Sequence, residues 1–130
     1  MTLSPEDNET SRVRFIEHKG KSVLLQDYSG MQPGPEFVEL IKRARAIIDS
    51  QEPHSLLTLV DATNSVFDSE VLVIMKDFVK RNTPFIRYTG VVGITGLKQV
   101  GLMALTRVAG RPLQTFSTRE EALDHMTGLE

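Results

Sequence analysis

The chain has 130 residues, 40% of them hydrophobic, with fifteen Lys and Arg against seventeen Asp and Glu and no cysteine. That length builds one hydrophobic core rather than two, and a core of this size holds without disulfides or a structural metal. The missing cysteines exclude a disulfide framework, thiolate metal sites and a Cys nucleophile, and the formal charge of -2 lacks the basic excess of a general nucleic-acid binder.

Residues 1–11 are polar, with Pro5, Glu6, Asp7 and Glu9. They are too poor in apolar side chains to offset the entropy of ordering, which predicts a mobile tail ahead of one domain over 12–130. They also lack the basic region and apolar run of an export signal, and no apolar stretch approaches the roughly 20 residues that span a bilayer. The expectation is a cytoplasmic protein without stable membrane insertion.

Arg12 to Glu17 and Ser22 to Asp27 read as two strands, with His18-Lys19-Gly20-Lys21 as the hairpin turn between them. After Pro33-Gly34-Pro35 the period changes, and Phe37, Leu40, Ile41, Ala44, Ile47 and Ile48 form one helical face. Leu56 to Val60 is a short apolar run without polar alternation, as in a central strand covered on both faces. A second helix places Val71, Ile74, Met75 and Phe78 inward and ends at Asn82-Thr83-Pro84.

Ile86 to Ile94 alternates Ile86, Tyr88, Gly90 and Val92 against Arg87, Thr89 and Val91, which predicts a strand with one face only partly covered. A third helical stripe runs through Leu97, Val100, Gly101, Ala104, Leu105 and Val108, and Gly110 and Pro112 stop it. Leu113 to Phe116 is a short strand. Thr118 with Glu121 three residues on is a capping box, opening a last helix through Ala122, Leu123 and Met126.

The order β-β-α-β-α-β-α-β-α implies an α/β domain. Its sheet is mixed, mostly parallel and of about five strands, with right-handed crossovers and an N-terminal antiparallel hairpin.

No constellation of catalytic or metal-binding residues stands out. His18, His54 and His125 lack a second His at i+3 or i+4 and read as solvated surface residues, so neither metal nor cofactor is assigned. The glycine-rich junction from Gly90 to Lys98 departs from a phosphate-binding Walker loop: five residues separate Gly90 from Gly96, and Leu97 precedes Lys98. Thr95 reads as an N-cap there, with Gly96 and the other glycines allowing close packing. Lys98, Arg107, Arg111 and Arg87 read as a solvated face.

The strongest local signal runs from Asp61 to Ser69 and joins the central strand to the second helix, at the carboxyl end of the sheet where α/β folds place ligands. Asp68 or Ser69 suits the N-cap, and a Ser at a helix start also favours an added phosphate.

Here the chain resembles the STAS domains, the anti-anti-sigma-factor fold, through Leu59-Val60-Asp61 and Phe67-Asp68-Ser69. Other pieces are similar to a bacterial STAS-like group related to the CRAL-TRIO lipid-transfer domain. These are Gly20 to Leu24, Asp27 to Gly30, Val91 to Leu97 and Glu120 to Leu123, and the likeness spans about residues 13 to 127.

The resemblance implies a superhelix of βα units with helices mainly on one face, and it places Ser69 at the regulatory phosphoacceptor position. This chain departs from that family by following Ser69 with Glu70 and Val71, which sets a carboxylate beside any phosphate. The expectation is a non-enzymatic module that binds a protein partner or itself as a homodimer, with Asp61, Asp68, Thr95 and Gly96 as candidate contacts. The alternative is a carrier of a small apolar or lipid ligand.

Overall fold

A computed structural model describes residues 11–129. Its elements are β1 (Val13–His18), β2 (Lys21–Asp27), α1 (Pro35–Ile48), β3 (Leu56–Asp61), α2 (Ser69–Asn82), β4 (Ile86–Val92), α3 (Lys98–Ala109), β5 (Gln114–Phe116) and α4 (Arg119–Thr127), with a single 3₁₀ turn at Thr83–Phe85. The expected tail lies outside the described residues except for Ser11. That residue is buried and hydrogen-bonds to Val13, so the ordered domain begins at least one position earlier than expected.

The sheet runs β1-β2-β3-β4-β5, antiparallel between β1 and β2 and parallel elsewhere. The hairpin closes on Lys19 and Gly20, both with positive φ, the two-residue turn whose twist matches that of the flanking strands. β3 sits at the centre, and its Leu56, Leu57, Thr58 and Leu59 are all buried.

Alternation along the strands sends side chains to two cores. On one face Val13, Leu24, Tyr28 and Leu56 meet Phe37, Leu40, Ile41, Ala44 and Ile48 of α1 and Val71 and Phe78 of α2. On the other, Val23, Leu25, Leu57, Leu59 and Val92 meet Ala122 and Met126 of α4. α3 packs on α2 through Leu105 and Ala109 against Val79. Three helices therefore lie on one side of the sheet and α4 on the other. Among the described residues no helix is long and apolar enough to cross a membrane.

Two expectations are corrected. In β4 the register shifts by one residue between Leu56↔Ile86 and Leu57↔Tyr88. Arg87 is the extra residue, and this bulge puts Ile86 in the α1–α2 core while Tyr88 joins the α4 core. The alternation therefore reflects a change of phase rather than a half-bare face, since Thr89, Gly90, Val91 and Val92 are all buried.

In α3 the expected stripe holds at Gly101 and Leu105, which are buried together with Ala109, but Leu97, Val100 and Val108 of that stripe are exposed. α3 is apolar nearly all round, so period alone does not choose its inner side; the close fit at Gly101 does. A Cβ on Gly101 would lie 2.9 Å from the Phe67 ring, so a larger residue there would have to push that ring aside for α3 to lie this close to the loop before α2.

Candidate functional site

Asp61 closes β3 and Ser69 opens α2, so both stand at the carboxyl end of the sheet as expected. Their side chains do different things. Asp61 is buried on the α4 face. One of its oxygens accepts from the Thr63 N–H at 2.9 Å, and the other accepts from Arg119 Nε at 2.6 Å.

The Nη2 of Arg119 also lies 3.1 Å from Asp27 at the end of β2. Arg119 is the first residue of α4, where the helix dipole disfavours a cation. The two strand-end carboxylates reverse that penalty and tie α4 to β2 and β3. Burial works to raise the Asp27 pKa, but the hydrogen bonds from Ser29 and the Arg119 guanidinium outweigh it, and the carboxyl is held below its usual 3.8.

Asp68, rather than Ser69, is the N-cap of α2, its carboxylate accepting from the Val71 N–H at 2.9 Å. The φ/ψ of Asp68 is extended while Ser69 is already helical, and a capping side chain needs the extended position to reach forward. Ser69 is thus exposed, with Asp68 and Glu70 on either side. Between the starts of α1 and α2 lies an open cleft of about 380 Å³ lined by Glu39, Lys42, Asp68 and Glu70.

Thr95 and Gly96 are exposed in the turn before α3. Thr95 does not cap: Leu97 is the N-cap residue, without a side-chain bond, and the Thr95 carbonyl accepts from the Lys98 N–H at 3.2 Å. The Lys98 ammonium donates to the Ala62 carbonyl at 2.7 Å, which holds the β3–α2 loop against α3. Gly93, at φ +83, is pressed on the same loop: a Cβ there would lie 2.3 Å from the Thr63 nitrogen. Close packing therefore holds at Gly93 and at Gly90, which lies against Met126 and Phe116, whereas Gly96, at φ +57 with open space around it, serves the turn before α3 and not packing.

The histidines are not uniformly solvated. His18 lies 2.7 Å from Asp124, and the His125 ring packs against Tyr88 and Phe116 with centroids 5.5 and 5.4 Å away. His54 stays exposed. Among the described residues no cluster of three His, Asp or Glu is placed to hold a metal ion.

Sequence reading missed an internal site. Between the sheet and α2 and α3 lies a largely apolar cavity of about 80 Å³. Its floor carries a buried polar chain: Tyr28 Oη donates to Gln26 Oε1 at 2.9 Å, Gln26 Nε2 donates to Thr58 Oγ1 at 2.8 Å, and Thr58 donates to the Leu24 carbonyl. Arg111 Nη1 donates to Thr89 Oγ1 at 3.0 Å on the same cavity wall. The one signal in the sequence was the polar Gln26 and Thr58 inside otherwise apolar strands.

The outer side of α3 shows the largest departure from expectation. Leu97, Val100 and Met103 are 91%, 67% and 63% exposed, within an arc of about 120° on ideal helical geometry. The chain matches no protein-family model, no curated protein and no solved structure.

Proposed function

We infer that the chain is a non-enzymatic binding module of STAS-like type that associates with a second copy of itself through the outer face of α3. One observation carries this reading: a helix that is apolar on its inner and outer sides leaves Leu97, Val100 and Met103 in water. Large apolar side chains grouped on one face weaken solubility unless something covers them.

The charge pattern favours a second copy as the cover. α3 has no acidic residue, and Arg107 is the only cation on its outer face, Lys98 being held by the Ala62 carbonyl. If two α3 helices cross antiparallel about a two-fold axis near Leu102, the Arg107 residues stand five positions from the axis on opposite sides. That separates them by about 15 Å, beyond the screening length of about 8 Å, so the pairing buries apolar surface twice without opposing like charges.

Three features support a non-enzymatic reading. His18 is engaged by Asp124, His125 lies between two rings, and His54 sits before β3, so none adjoins Asp61 and Ser69 at the strand-end loops. A lipid carrier gains no support, because 80 Å³ falls well below the roughly 300 Å³ of the smaller ligand pockets. A regulatory phosphate on Ser69 would meet the Asp68 carboxylate already seated on the N-cap, with Glu70 beside it, and repulsion opposes it.

The test is sedimentation equilibrium at micromolar concentration on the unaltered chain and on Val100→Asp with Met103→Asp. The reading predicts a dimer for the first and a monomer with an unchanged circular-dichroism spectrum for the second. A monomeric unaltered chain, or a dimer that survives both substitutions, overturns it.

A further inference from the structure

We propose that the cavity between the sheet and the α2–α3 pair binds a small, uncharged, apolar molecule of about three or four heavy atoms, the size of propane.

The cavity is held open by its surroundings. Interiors are close-packed with few voids larger than a water molecule, so one of about 80 Å³ needs walls that are kept apart. α3 is attached to α2 rather than to the sheet: Leu105 and Ala109 pack with Leu72, Met75 and Val79 of α2 and with Leu113, and among the described residues no strand side chain joins that cluster. Val91 of β4 is buried yet packs into none of the three apolar clusters, because it faces the cavity.

Two contacts keep α3 from settling onto β4. Near the start of α3 the Phe67 ring, itself a wall of the cavity, is wedged beside Gly101, so close that a Cβ there would lie 2.9 Å from it. Beyond the end of α3, Arg111 Nη1 donates to Thr89 Oγ1 at 3.0 Å, a strut between the α3–β5 link and β4.

The lining sets the chemical class. Its polar side chains are spent on the protein: Tyr28 donates to Gln26, Gln26 to Thr58, Thr58 to the Leu24 carbonyl and Ser65 to the Ala62 carbonyl. The two polar atoms without a partner, Asn82 Oδ1 and Arg111 Nε, expose essentially no surface, so they face packed atoms and not the void. A water needs two to four polar partners to settle, and a charged or hydrogen-bonding ligand would give up its hydration here for nothing in return. What the walls offer is apolar contact, from Phe78, Val91 and Leu105 among others.

The volume sets the size. At 80 Å³ the cavity has about half the volume of the engineered apolar cavity, roughly 150 Å³, that stays dry and admits benzene. Ile94 and Leu102 line it and are only half-buried, which marks the way in from solvent. The site is separate from the outer face of α3 and stands or falls independently of self-association.

The experiment follows methyl spectra of the full chain as dissolved xenon and, in a second series, propane is raised under pressure. Ethanol, with the same number of heavy atoms as propane, is the polar control. Xenon and propane are expected to shift the Val91 and Leu105 methyl signals along saturating curves while the Leu97 and Val100 methyls on the outer face of α3 stay in place. Ethanol should bind at least tenfold more weakly than propane, and Val91→Phe, which fills the space, should remove the shifts at Leu105.

No shift at Val91 and Leu105 overturns the proposal. Shifts that rise without saturating, or that are as large at Leu97 and Val100, show apolar gas partitioning over the surface and also overturn it, as does ethanol binding as well as propane. The spectra of the unaltered chain decide the question even if Val91→Phe does not fold.

Discussion

Replacing Asp61 by Asn removes one charge from the Asp27–Arg119–Asp61 cluster while keeping an oxygen that can accept from the Thr63 N–H. The isolated effect is therefore that of the bond to Arg119, 2.6 Å long and made by a carboxylate whose side chain is only 8% exposed. A hydrogen bond to a charged group at such a site is worth about 1.5–3 kcal/mol. The Arg119 side chain is 38% exposed, so solvent screens part of that, and about 1–2 kcal/mol is the working figure. Arg119→Gln should cost about as much, and the double variant less than the sum, with a coupling of about 1 kcal/mol.

Urea unfolding followed by circular dichroism reads this directly. With a slope near 1–3 kcal/mol per molar, each single variant should lower the midpoint by roughly 1 M. The coupling should weaken only in part at high salt, because the Asp61 carboxylate is buried although Arg119 is partly exposed. Additive effects, with a coupling indistinguishable from zero, would show that the cluster is a surface ion pair and that α4 is held by Ala122 and Met126 alone.

The cap of α2 gives a second test: Asp68→Ala should cost about 1 kcal/mol in a thermal or urea melt, whereas Ser69→Ala and Ser69→Asp should each stay within about 0.5 kcal/mol. Ser69→Asp should also leave self-association unchanged, and a loss of dimer in that variant would restore Ser69 as a switch. Tyr28, buried and bonded to Gln26, has its hydroxyl pKa driven above the usual 10.0. The neutral form is the folded one, so its contribution is complete below pH 10 and is lost as pH rises past it. Stability should fall there by up to about 1.4 kcal/mol per pH unit, and Tyr28→Phe should flatten that decline. Asp27 acts at the other end: its folded pKa lies below 3.8, so its contribution is present above that value and is lost as pH falls through the folded pKa, and Asp27→Asn should weaken the acid sensitivity of the melt. Gly93→Ala should be among the most damaging small substitutions, above 2 kcal/mol by a rough estimate, because it sets a methyl against the Thr63 backbone at positive φ.

The elements of the fold were legible because they depend on local period and local stops. The α1 stripe from Phe37 to Ile48, the central apolar run at Leu56 and the Thr118 cap, which accepts from the Glu121 N–H at 3.1 Å, all lie within a few residues of their cause. What escaped depends on contacts distant in sequence. Asp61 and Arg119 are 58 positions apart, and neither predicts the other.

The bulge at Arg87 looks like plain alternation until the register with β3 is known. The inner side of α3 is chosen by Gly101 against Phe67, a contact invisible to periodicity in a helix apolar on both sides. Arg111 read as one more surface cation because its position under α3 follows from how the α3–β5 link turns back on β4. The cap was narrowed to Asp68 or Ser69, and only the backbone angles separate the two.

Pairing of two copies through α3 can be read from isotope-filtered nuclear Overhauser spectra on an equal mixture of carbon-13-labelled and unlabelled chains. Intermolecular contacts are expected from the Met103 methyl to the Leu97 and Val100 methyls of the other copy. Intermolecular contacts at Phe15 on the edge strand β1 instead, or none in a sample that remains monomeric, would contradict it.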